Sequence, residues 1–589
     1  MNAAVLLQVR KRPGRSAREP TAASVGVREL GFRPVHRLDW SDASGAITLA
    51  GWHDGATADG GAWAERGGGV AFVVGHLRWR ARDWDAPEHW AREVLDVVDH
   101  PIGHLHEELR GTFAAGQVTS AGDGWLITDP VGMRLVYWAE DEDVIVVSSR
   151  AALVAAALAP PGTTPERDMA GASWLAFFGV RVGESTGYAG VRVVAPGARL
   201  RLRAGSATWE QTRPMLLPSG DELRSCTVGE LAEVVHADVA DALRASLSFP
   251  ADRHVIRLTG GKDSRLVLAV AVRAGLAKDF TYETIGPPEL LDVQIASELC
   301  ERLELEHHSR FVGSVSREPF DTRFRAFVES TAGMVNGWDL ANPHDPAELR
   351  LTGLFGEFLR WYRKVPKERW TAERIADELP RTGFDRLGLV RRDVGDQLHA
   401  ELLARLAREP SSESHPLDRI HALYAGSRMR FTRMGSRLEL AGPDDVLPVY
   451  SRTTMRASLA LPAPDRQSEL LFAEVLRLAS DALVQHRFTD AGWDSRARAH
   501  LERVGAPVGT DNAAAPRSKA VPLMGAIYAK GSTPRTDLLA EAFTDPGNPA
   551  WQVLDRGAAL EGLRRYPSLT NRERYELFGA ATAATWLNG

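Results

Sequence analysis

The stretch RHVIRLTGGKDSRLVLAVAVRAGLAKDF, residues 253–280, constrains the fold of this chain more than any other part. A short β-branched run leads to two glycines, and an apolar segment with helical spacing follows. A strand that turns sharply into a helix exposes the first backbone N–H groups of that helix, which bind anions. Gly260 and Gly261 allow a phosphate to approach the backbone, and Thr259 and Ser264 add hydroxyl donors. The alternative is a tight turn in which glycine only supplies a positive φ.

The residues around the glycine pair narrow the choice of nucleotide loop. A Walker A loop is excluded because Ile256 stands where its first glycine should be and Asp263 follows the lysine. The dinucleotide fingerprint G-x-G-x-x-G is absent as well. A carboxylate inside a phosphate loop would repel the phosphate unless a divalent cation lay between them, so Asp263 indicates Mg²⁺. We therefore expect binding of a magnesium nucleotide.

The chain after residue 226 alternates between strands and helices. Thr227 and Glu230 form a capping box before an apolar stripe, which predicts a helix at the start of a second domain. A strand at 254–258, a helix from about 264 to 275, the strand FTYETIG and the helix LDVQIASELCERLE follow. This order predicts a parallel sheet with right-handed crossovers, whose ligands bind at the C-terminal strand ends.

The first part of the chain, residues 1–212, is mostly strand-like, with short apolar runs punctuated by Gly, Asp and Pro. One helix is expected in APEHWAREVLDVVDH. A polar stretch at 213–226 is the predicted linker to a second domain at 227–589. At 589 residues the chain is too long for one hydrophobic core, so at least two packed units are expected.

Composition excludes several classes of function. The net charge of −6 argues against a protein that coats nucleic acid. No apolar run approaches the roughly 18–20 residues that cross a bilayer, so no membrane partner is expected. The two cysteines, Cys226 and Cys300, lack the spacing of a zinc cluster or disulfide framework, and we expect a cytoplasmic protein.

LTGGKDSR resembles the SGGxDS pyrophosphate loop of the N-type ATP pyrophosphatases, which adenylate a carboxylate and release pyrophosphate; Thr259 replaces the usual Ser. The neighbouring segments resemble the asparagine synthetase-like branch. LDVQIASELCERLELEHHSR is similar to its D-x3-A helix and His pair; an ordinary amphipathic helix and the start of the next strand explain these residues better than a catalytic role, so they serve to place the fold. The resemblance implies an ATP and Mg²⁺ site formed by a set of candidates: Thr259, Gly260, Gly261, Lys262, Asp263, Ser264, Arg265, Ile285 and Gly353.

Two further segments resemble catalytic parts of the same family. LTGLFGEFLRWYRK is similar to its SGEGADELF segment, with Gly353 near the start and Glu357 in place of the second magnesium-binding Asp. Leu354 and Phe355 depart from that motif, and a solvated Glu after a helix-starting turn is the alternative. APRSKAVPLMG is similar to the loop whose lysine stabilises attack on the acyl-adenylate, which makes Lys519 a catalytic candidate; otherwise Lys519 is simply solvated.

The strand-rich part resembles the glutamine amidotransferase (Ntn-type) domain of the family. The fold class implied is therefore a two-domain α/β protein: an amidotransferase-like domain, then a C-terminal ATP pyrophosphatase (PP-loop) domain with a parallel sheet. That glutaminase depends on a cysteine directly after the initiator Met, but position 2 is Asn2 and no cysteine precedes Cys226. We expect a domain that lacks its nucleophile and an enzyme that does not use glutamine.

A synthetase that does not use glutamine must take its amine from another source. The simplest source is an amine of the substrate itself. The GGKDSR loop and the G-x-x-G-E pattern resemble the lasso peptide macrolactam synthetases (lasso cyclases), which join a peptide's N-terminal amine to an Asp or Glu side chain. The resemblance implies a precursor peptide substrate, a leader peptidase and a leader-binding protein as partners. A β-lactam synthetase-like ligase of a small molecule is the alternative, and a tRNA-modifying pyrophosphatase or an inactive scaffold would share the fold.

Overall fold

The computed structural model describes most of the chain, namely residues 3–11, 34–53, 62–79, 90–96, 108–203, 206–211, 221–249, 251–310, 320–339, 347–360, 371–383, 386–408, 416–435, 445–489, 492–506, 508 and 533–589.

The N-terminal part contains two six-stranded antiparallel sheets. The first has the order β12-β10-β11-β1-β3-β2 and the second β14-β13-β9-β8-β5-β4; β6 and β7 form a separate pair. The strands are β1 Ala3–Arg10, β2 His36–Ser41, β3 Ile47–His53, β4 Trp63–Arg66, β5 Gly69–Gly75, β6 Arg78–Trp79, β7 Leu109–Arg110, β8 Phe113–Val118, β9 Gly124–Thr128, β10 Tyr137–Glu140, β11 Val144–Ser148, β12 Arg192–Val193, β13 Ala198–Arg203 and β14 Ser206–Gln211. The predicted β-rich part is confirmed.

The two sheets face each other across an apolar core. In β1, Val5, Leu7 and Val9 alternate toward this core, where they meet Phe72 and Leu126 of the second sheet. Three helices cover the outer faces: α1 Trp90–Asp96 on the second sheet, and α2 Ala151–Leu158 and α3 Met169–Phe178 on the first. The result is four layers, helix, sheet, sheet and helix. The described part of the expected helix at 86–100 is α1.

The C-terminal part contains a five-stranded parallel sheet with the order β17-β16-β15-β18-β19. Its strands are β15 Arg253–Arg257, β16 Thr281–Ile285, β17 His307–Arg310, β18 Glu348–Leu351 and β19 Asp445–Val446. The predicted parallel sheet is confirmed. Because all five strands run in one direction, the loops after β15, β16 and β18 meet at one edge of the sheet.

Helices surround this sheet and continue to the C-terminus. They are α4 Val228–Leu247, α5 Lys262–Arg273, α6 Leu291–Arg302, α7 Phe320–Ser330, α8 Ala372–Gly383, α9 Arg392–Arg408, α10 Pro416–Leu423, a π-helix Tyr424–Gly435, α11 Arg452–Ala460, α12 Ala463–Gln467, α13 Leu470–Ala479, α14 Asp481–Gln485, α15 Ser495–Arg503, α16 Thr533–Thr544, α17 Arg556–Arg564 and α18 Asn571–Asn588. The predicted capping box at the start of α4 is confirmed, since Thr227 Oγ1 accepts from the Glu230 N–H and Glu230 accepts from the Thr227 N–H. None of the described helices is both long and apolar enough to cross a membrane.

The two parts of the chain share a core. The outer face of α3 packs against α18, so residues such as Trp174 and Phe178 join the same buried cluster as Leu577 and Trp586. The segment at 212–220 lies outside the described residues, and the domain boundary at residue 212 stays a prediction.

Candidate active site

The glycine loop lies between the end of β15 and the start of α5, as the sequence predicts. Ser264 closes the loop, because its Oγ accepts from the Thr259 N–H at 3.0 Å and lies 3.1 Å from Thr259 Oγ1. Thr259 Oγ1 in turn accepts from the Gly261 N–H at 3.1 Å. Gly261 precedes α5 with no side-chain cap on the helix. The positive end of α5 therefore points into the loop, where it can bind an anion.

A second contact anchors the loop from α6. Asp292 Oδ1 accepts from the Gly260 N–H at 3.0 Å and from Thr489 Oγ1 at 2.7 Å. Gly260 has no room for a side chain, since a Cβ there would lie 2.1 Å from Thr489 Oγ1. Asp292, which the sequence marked only by resemblance, thus fixes the loop conformation.

The two cations of the GGKDSR loop point away from it. Lys262 is 6% exposed, donates to Glu469 Oε2 at 2.5 Å and lies 5.2 Å from the ring centroids of both Phe488 and Trp493. Arg265 is fully buried and lies 3.9 Å above the Phe488 ring. Its guanidinium donates to three carbonyl oxygens, those of Leu483, His486 and Arg487. Both side chains join α5 to the 469–493 region, so the expected part of Lys262 and Arg265 in nucleotide binding stays a prediction.

The turn after β18 lies directly against Asp263. A Cβ on Gly353 would lie 2.4 Å from the Asp263 carbonyl carbon, and one on Gly356 would lie 2.9 Å from Asp263 Oδ1. Between the two glycines, Phe355 has a left-handed backbone with φ +74°, which is rare for an aromatic residue and costs conformational energy. Residues 353–357, the site turn, are thereby held against the start of α5.

Glu357 enters the site from this turn and is nearly buried, with 8% exposure. Its Oε1 accepts from the Tyr424 hydroxyl at 2.8 Å. Burial, followed by the negative charge of Asp263, raises the pKa of the Glu357 carboxyl above its ordinary value of 4.5. Two carboxylates from separate strand ends therefore act on each other at the glycine loop, and a cation between them would favour their charged forms.

The Asp263 carboxylate has a cationic partner in Arg360. Arg360 Nε lies 2.8 Å from Oδ1 and Nη2 lies 2.7 Å from Oδ2, a bidentate pair. Asp263 raises the pKa of the Arg360 guanidinium above its ordinary value, against the effect of burial. A metal that binds both Asp263 oxygens must replace this guanidinium.

The residues at this site suit Mg²⁺ better than a metal ion whose ligands all come from the protein. Among the described residues no group of three or more His, Cys, Asp and Glu side chains is placed to bind a metal ion. Mg²⁺ needs no such group, because it is usually held by one or two carboxylates and completes its shell with water and substrate phosphate. Asp263 and Glu357 supply two carboxylates. Thr352, the residue before Gly353, has an Oγ1 that is buried without a hydrogen-bond partner among the described residues.

The other predicted site residues differ in placement. Ile285 ends β16 at the same sheet edge as the glycine loop and is half-buried. His307 lies on β17, where its Nε2 is 2.8 Å from Thr284 Oγ1, and burial lowers its pKa. Lys519 and Asn2 lie outside the described residues, so the role of Lys519 stays a prediction.

Sequence reasoning missed three site residues, Arg360, Tyr424 and Thr489. Each contacts a predicted site residue that is 67 to 229 positions away in the chain, as the pairs Tyr424–Glu357 and Thr489–Gly260 show. Arg360 had the clearest local signal, since it stands three residues after Glu357 in the segment already singled out.

Comparison with known proteins finds only remote similarity. No family model matches the chain, and the search of curated proteins finds no significant match. Solved structures that match include the "allosteric regulatory enzyme of purine biosynthesis", with a TM-score of 0.25 and 12% identity over 54% of this chain and 82% of that one. Another is the glutamine phosphoribosylpyrophosphate amidotransferase from B. subtilis complexed with ADP and GMP, with a TM-score of 0.25 and 10% identity over 70% of this chain and 94% of that one. At these values the similarity carries no argument about fold or activity.

Proposed function

We propose that this protein is an ATP-dependent C–N ligase that releases AMP and pyrophosphate. The observation that supports the proposal most strongly is the packing of the Gly353–Glu357 turn on Asp263, beside the uncapped N-terminus of α5. An anion-binding loop next to two interacting carboxylates suits a magnesium nucleotide, in which the metal offsets repulsion between carboxylate and phosphate.

The proposed roles follow from these positions. The α5 N-terminus, Gly261 and the Thr259 and Ser264 hydroxyls would face the phosphates, and Asp263 with Glu357 would hold Mg²⁺. Mg²⁺ would supply positive charge at the phosphate oxygens. A substrate carboxylate would displace pyrophosphate from the α-phosphorus to give an acyl-adenylate. An amine would then attack the acyl carbon, lose a proton and release AMP, and Lys519 would stabilise the charge that develops on oxygen.

The amine is proposed to come from the substrate itself, as in closure of a peptide macrolactam between an N-terminal amine and an Asp or Glu side chain. Neither cysteine of the chain supports glutaminase chemistry. Cys226 is half-buried just before α4, and burial in α6 raises the pKa of the Cys300 thiol to about 12. Neither residue lies in the antiparallel sheets.

Product analysis tests this proposal. The protein is incubated with ATP, Mg²⁺ and a lasso-type core peptide that has a free N-terminal amine and an Asp or Glu, with and without ¹⁵N-labelled glutamine. We expect AMP, pyrophosphate and a product lighter by one water, with no ¹⁵N incorporated and no glutamate formed. An amide nitrogen derived from glutamine or ammonium would instead establish an asparagine synthetase-like transfer. Cyclisation of a small β-amino acid but of no peptide would assign a small-molecule ligase.

A further inference from the structure

The site turn is attached to the N-terminal part of the chain through Tyr450. The Tyr450 ring lies 4.6 Å from that of Phe355, the residue with the left-handed backbone, and Phe355 stacks on Phe358 at 4.7 Å. All three rings are buried. Ser458 adds a hydrogen bond of 2.6 Å to the Phe358 carbonyl. Glu357 thus lies in the chain between Phe355, which contacts Tyr450, and Phe358, which stacks on Phe355.

The other end of Tyr450 belongs to the antiparallel part. Its hydroxyl donates to Asp129 Oδ1 and accepts from the Val131 N–H at 3.1 Å. Asp129 is fully buried, and its carboxylate also accepts from the Met133 and Arg134 N–H groups at 2.9 and 2.8 Å. The loop after β9 is therefore built around a carboxylate that also accepts from the Tyr450 hydroxyl.

A second connection runs through the π-helix Tyr424–Gly435. At its start, Tyr424 donates to Glu357; further along, Arg430 donates from Nε to the Gly132 carbonyl at 2.8 Å and from Nη2 to the Val194 carbonyl. Gly132 has a φ of +66°, and a Cβ there would lie 2.9 Å from Arg430 Nη2. π-helical turns are rare and occur often at functional sites. The π-helix therefore joins Tyr424, which contacts Glu357, to residues 129–134, the loop after β9.

The segment that follows Tyr450 is fixed across the same boundary. Arg110 of β7 donates to Thr453 Oγ1 at 2.7 Å and pairs with Asp238 of α4. Asp238 also accepts from Ser451 and, at 2.9 Å, from Thr454. Tyr450 is consequently restrained on both sides, and its ring has little freedom to follow movements of the site turn.

We propose that the antiparallel part, which lacks a nucleophilic cysteine, is a positioning element of the nucleotide site. Its 129–134 loop orients Glu357 toward Asp263 by two routes. One route runs through Tyr450 and Phe355, and the other through Arg430 and Tyr424. This inference rests on the proposed metal–nucleotide function of Asp263 and Glu357. Tyr450 and Arg430 are positioning residues, since neither carries a group of the site itself. A series of packed side chains can couple two sites energetically when each side chain in the series has a defined arrangement.

The test measures two properties of the full-length protein, melting temperature and Mn²⁺–nucleotide binding, in three variants. Tyr450→Phe keeps the ring but removes the hydroxyl, and Arg430→Lys keeps the charge but loses the bidentate geometry. Arg181→Lys is the matched control. Arg181 is also fully buried and donates to the carbonyls of Thr186 and Gly333. The bond to Gly333 also joins the N-terminal and C-terminal parts of the chain, but near α18 rather than at the 129–134 loop. For each variant the melting temperature is measured, and Mn²⁺ binding with α,β-methylene-ATP is followed by the electron paramagnetic resonance signal of free Mn²⁺.

We expect Tyr450→Phe and Arg430→Lys to weaken Mn²⁺–nucleotide binding by roughly 2- to 30-fold, the range typical of coupling through packed side chains. Arg181→Lys should lower the melting temperature comparably and leave Mn²⁺ binding unchanged. The inference would be overturned if Mn²⁺–nucleotide binding were unchanged in both Tyr450→Phe and Arg430→Lys, or if it were weakened equally in all three variants. If the unmodified protein did not bind Mn²⁺ with the ATP analogue, the proposed function would fail, and the inference with it.

Discussion

Arg360 and Asp263 form a bidentate ion pair at the mouth of the glycine loop, with N–O distances of 2.8 and 2.7 Å. The guanidinium therefore occupies the same oxygens that the proposed Mg²⁺ requires. Because Arg360 cannot lose its charge at neutral pH, it competes with a metal rather than yielding a proton. The structure shows the state in which arginine occupies the Asp263 carboxylate, and the proposed metal would have to displace it.

Removal of this competitor should strengthen binding of a metal without nucleotide. We expect Arg360→Gln to bind Mn²⁺ without nucleotide more tightly than the unmodified protein does, because the metal no longer has to break the bidentate ion pair between Asp263 and Arg360. Titration of Mn²⁺ by electron paramagnetic resonance measures this directly. Weaker Mn²⁺ binding in Arg360→Gln would show that the guanidinium supports the metal site rather than competes for it.

Gly353 should tolerate no side chain, because a Cβ would lie 2.4 Å from backbone atoms of Asp263 and Ser264. We expect Gly353→Ala to displace the site turn and to lower turnover at least about tenfold, as expected when a catalytic contact is misplaced. Gly395→Ala in α9 is the control, since its Cβ would meet only the Phe177 ring at 3.8 Å. Similar activity loss in both variants would contradict this account of the turn.

The pH dependence of metal binding should report Glu357. Its pKa lies above 4.5 because of burial and the Asp263 charge, so Mg²⁺ or Mn²⁺ binding should be absent at low pH and increase through the raised pKa. The Tyr424 hydrogen bond lowers that pKa, and Tyr424→Phe should therefore move the midpoint to higher pH. A midpoint that stays in place or moves to lower pH in Tyr424→Phe would contradict the assignment.

The same pKa has a consequence for stability. Above 4.5 the folded protein keeps a proton on Glu357 that the unfolded chain releases. The contribution of this group to the free energy of unfolding therefore falls as the pH rises from 4.5 to the folded pKa, and is constant above it. Glu357→Gln should remove this slope from a series of urea titrations.

Lys262 should matter for stability through Glu469 rather than through phosphate. Both side chains are buried, and removal of one partner of a buried ion pair typically costs about 3–5 kcal/mol. We expect Lys262→Met to lose about that much in urea unfolding, and Lys262→Met combined with Glu469→Gln to recover most of it. A double variant as unstable as Lys262→Met would mean that Glu469 is not the partner that matters.

The sequence was informative where structure is local. The strand, glycine turn and helix at 253–273 follow from β-branched residues, two glycines and helical spacing, and the capping box before α4 needs only four residues. The parallel sheet follows from the alternation of such units. The pairing of Gly353 with Asp263 was accessible only through family resemblance.

Long-range contacts were not accessible in this way. Arg265 belongs to the loop that resembles a pyrophosphate loop, which implied a nucleotide contact, but its acceptors are carbonyls of Leu483, His486 and Arg487, which no local pattern reveals. Tyr450 carries no motif, and its hydrogen bond to Asp129, 321 positions earlier, is visible only in the folded structure. Side-chain direction at a helix start depends on what the fold places beneath it.

Isotope exchange between pyrophosphate and ATP measures adenylation of a carboxylate by this protein. The protein is incubated with ATP, Mg²⁺, labelled pyrophosphate and an acid-bearing core peptide whose N-terminal amine is acetylated, so that the reaction stops at the acyl-adenylate. We expect label to enter ATP only when the peptide and Mg²⁺ are present, and to be lost in a folded Asp263→Asn variant with an unchanged melting temperature. Exchange that persists in Asp263→Asn would contradict the magnesium assignment. No exchange with the unmodified protein, or release of ADP and phosphate in its place, would contradict adenylation itself.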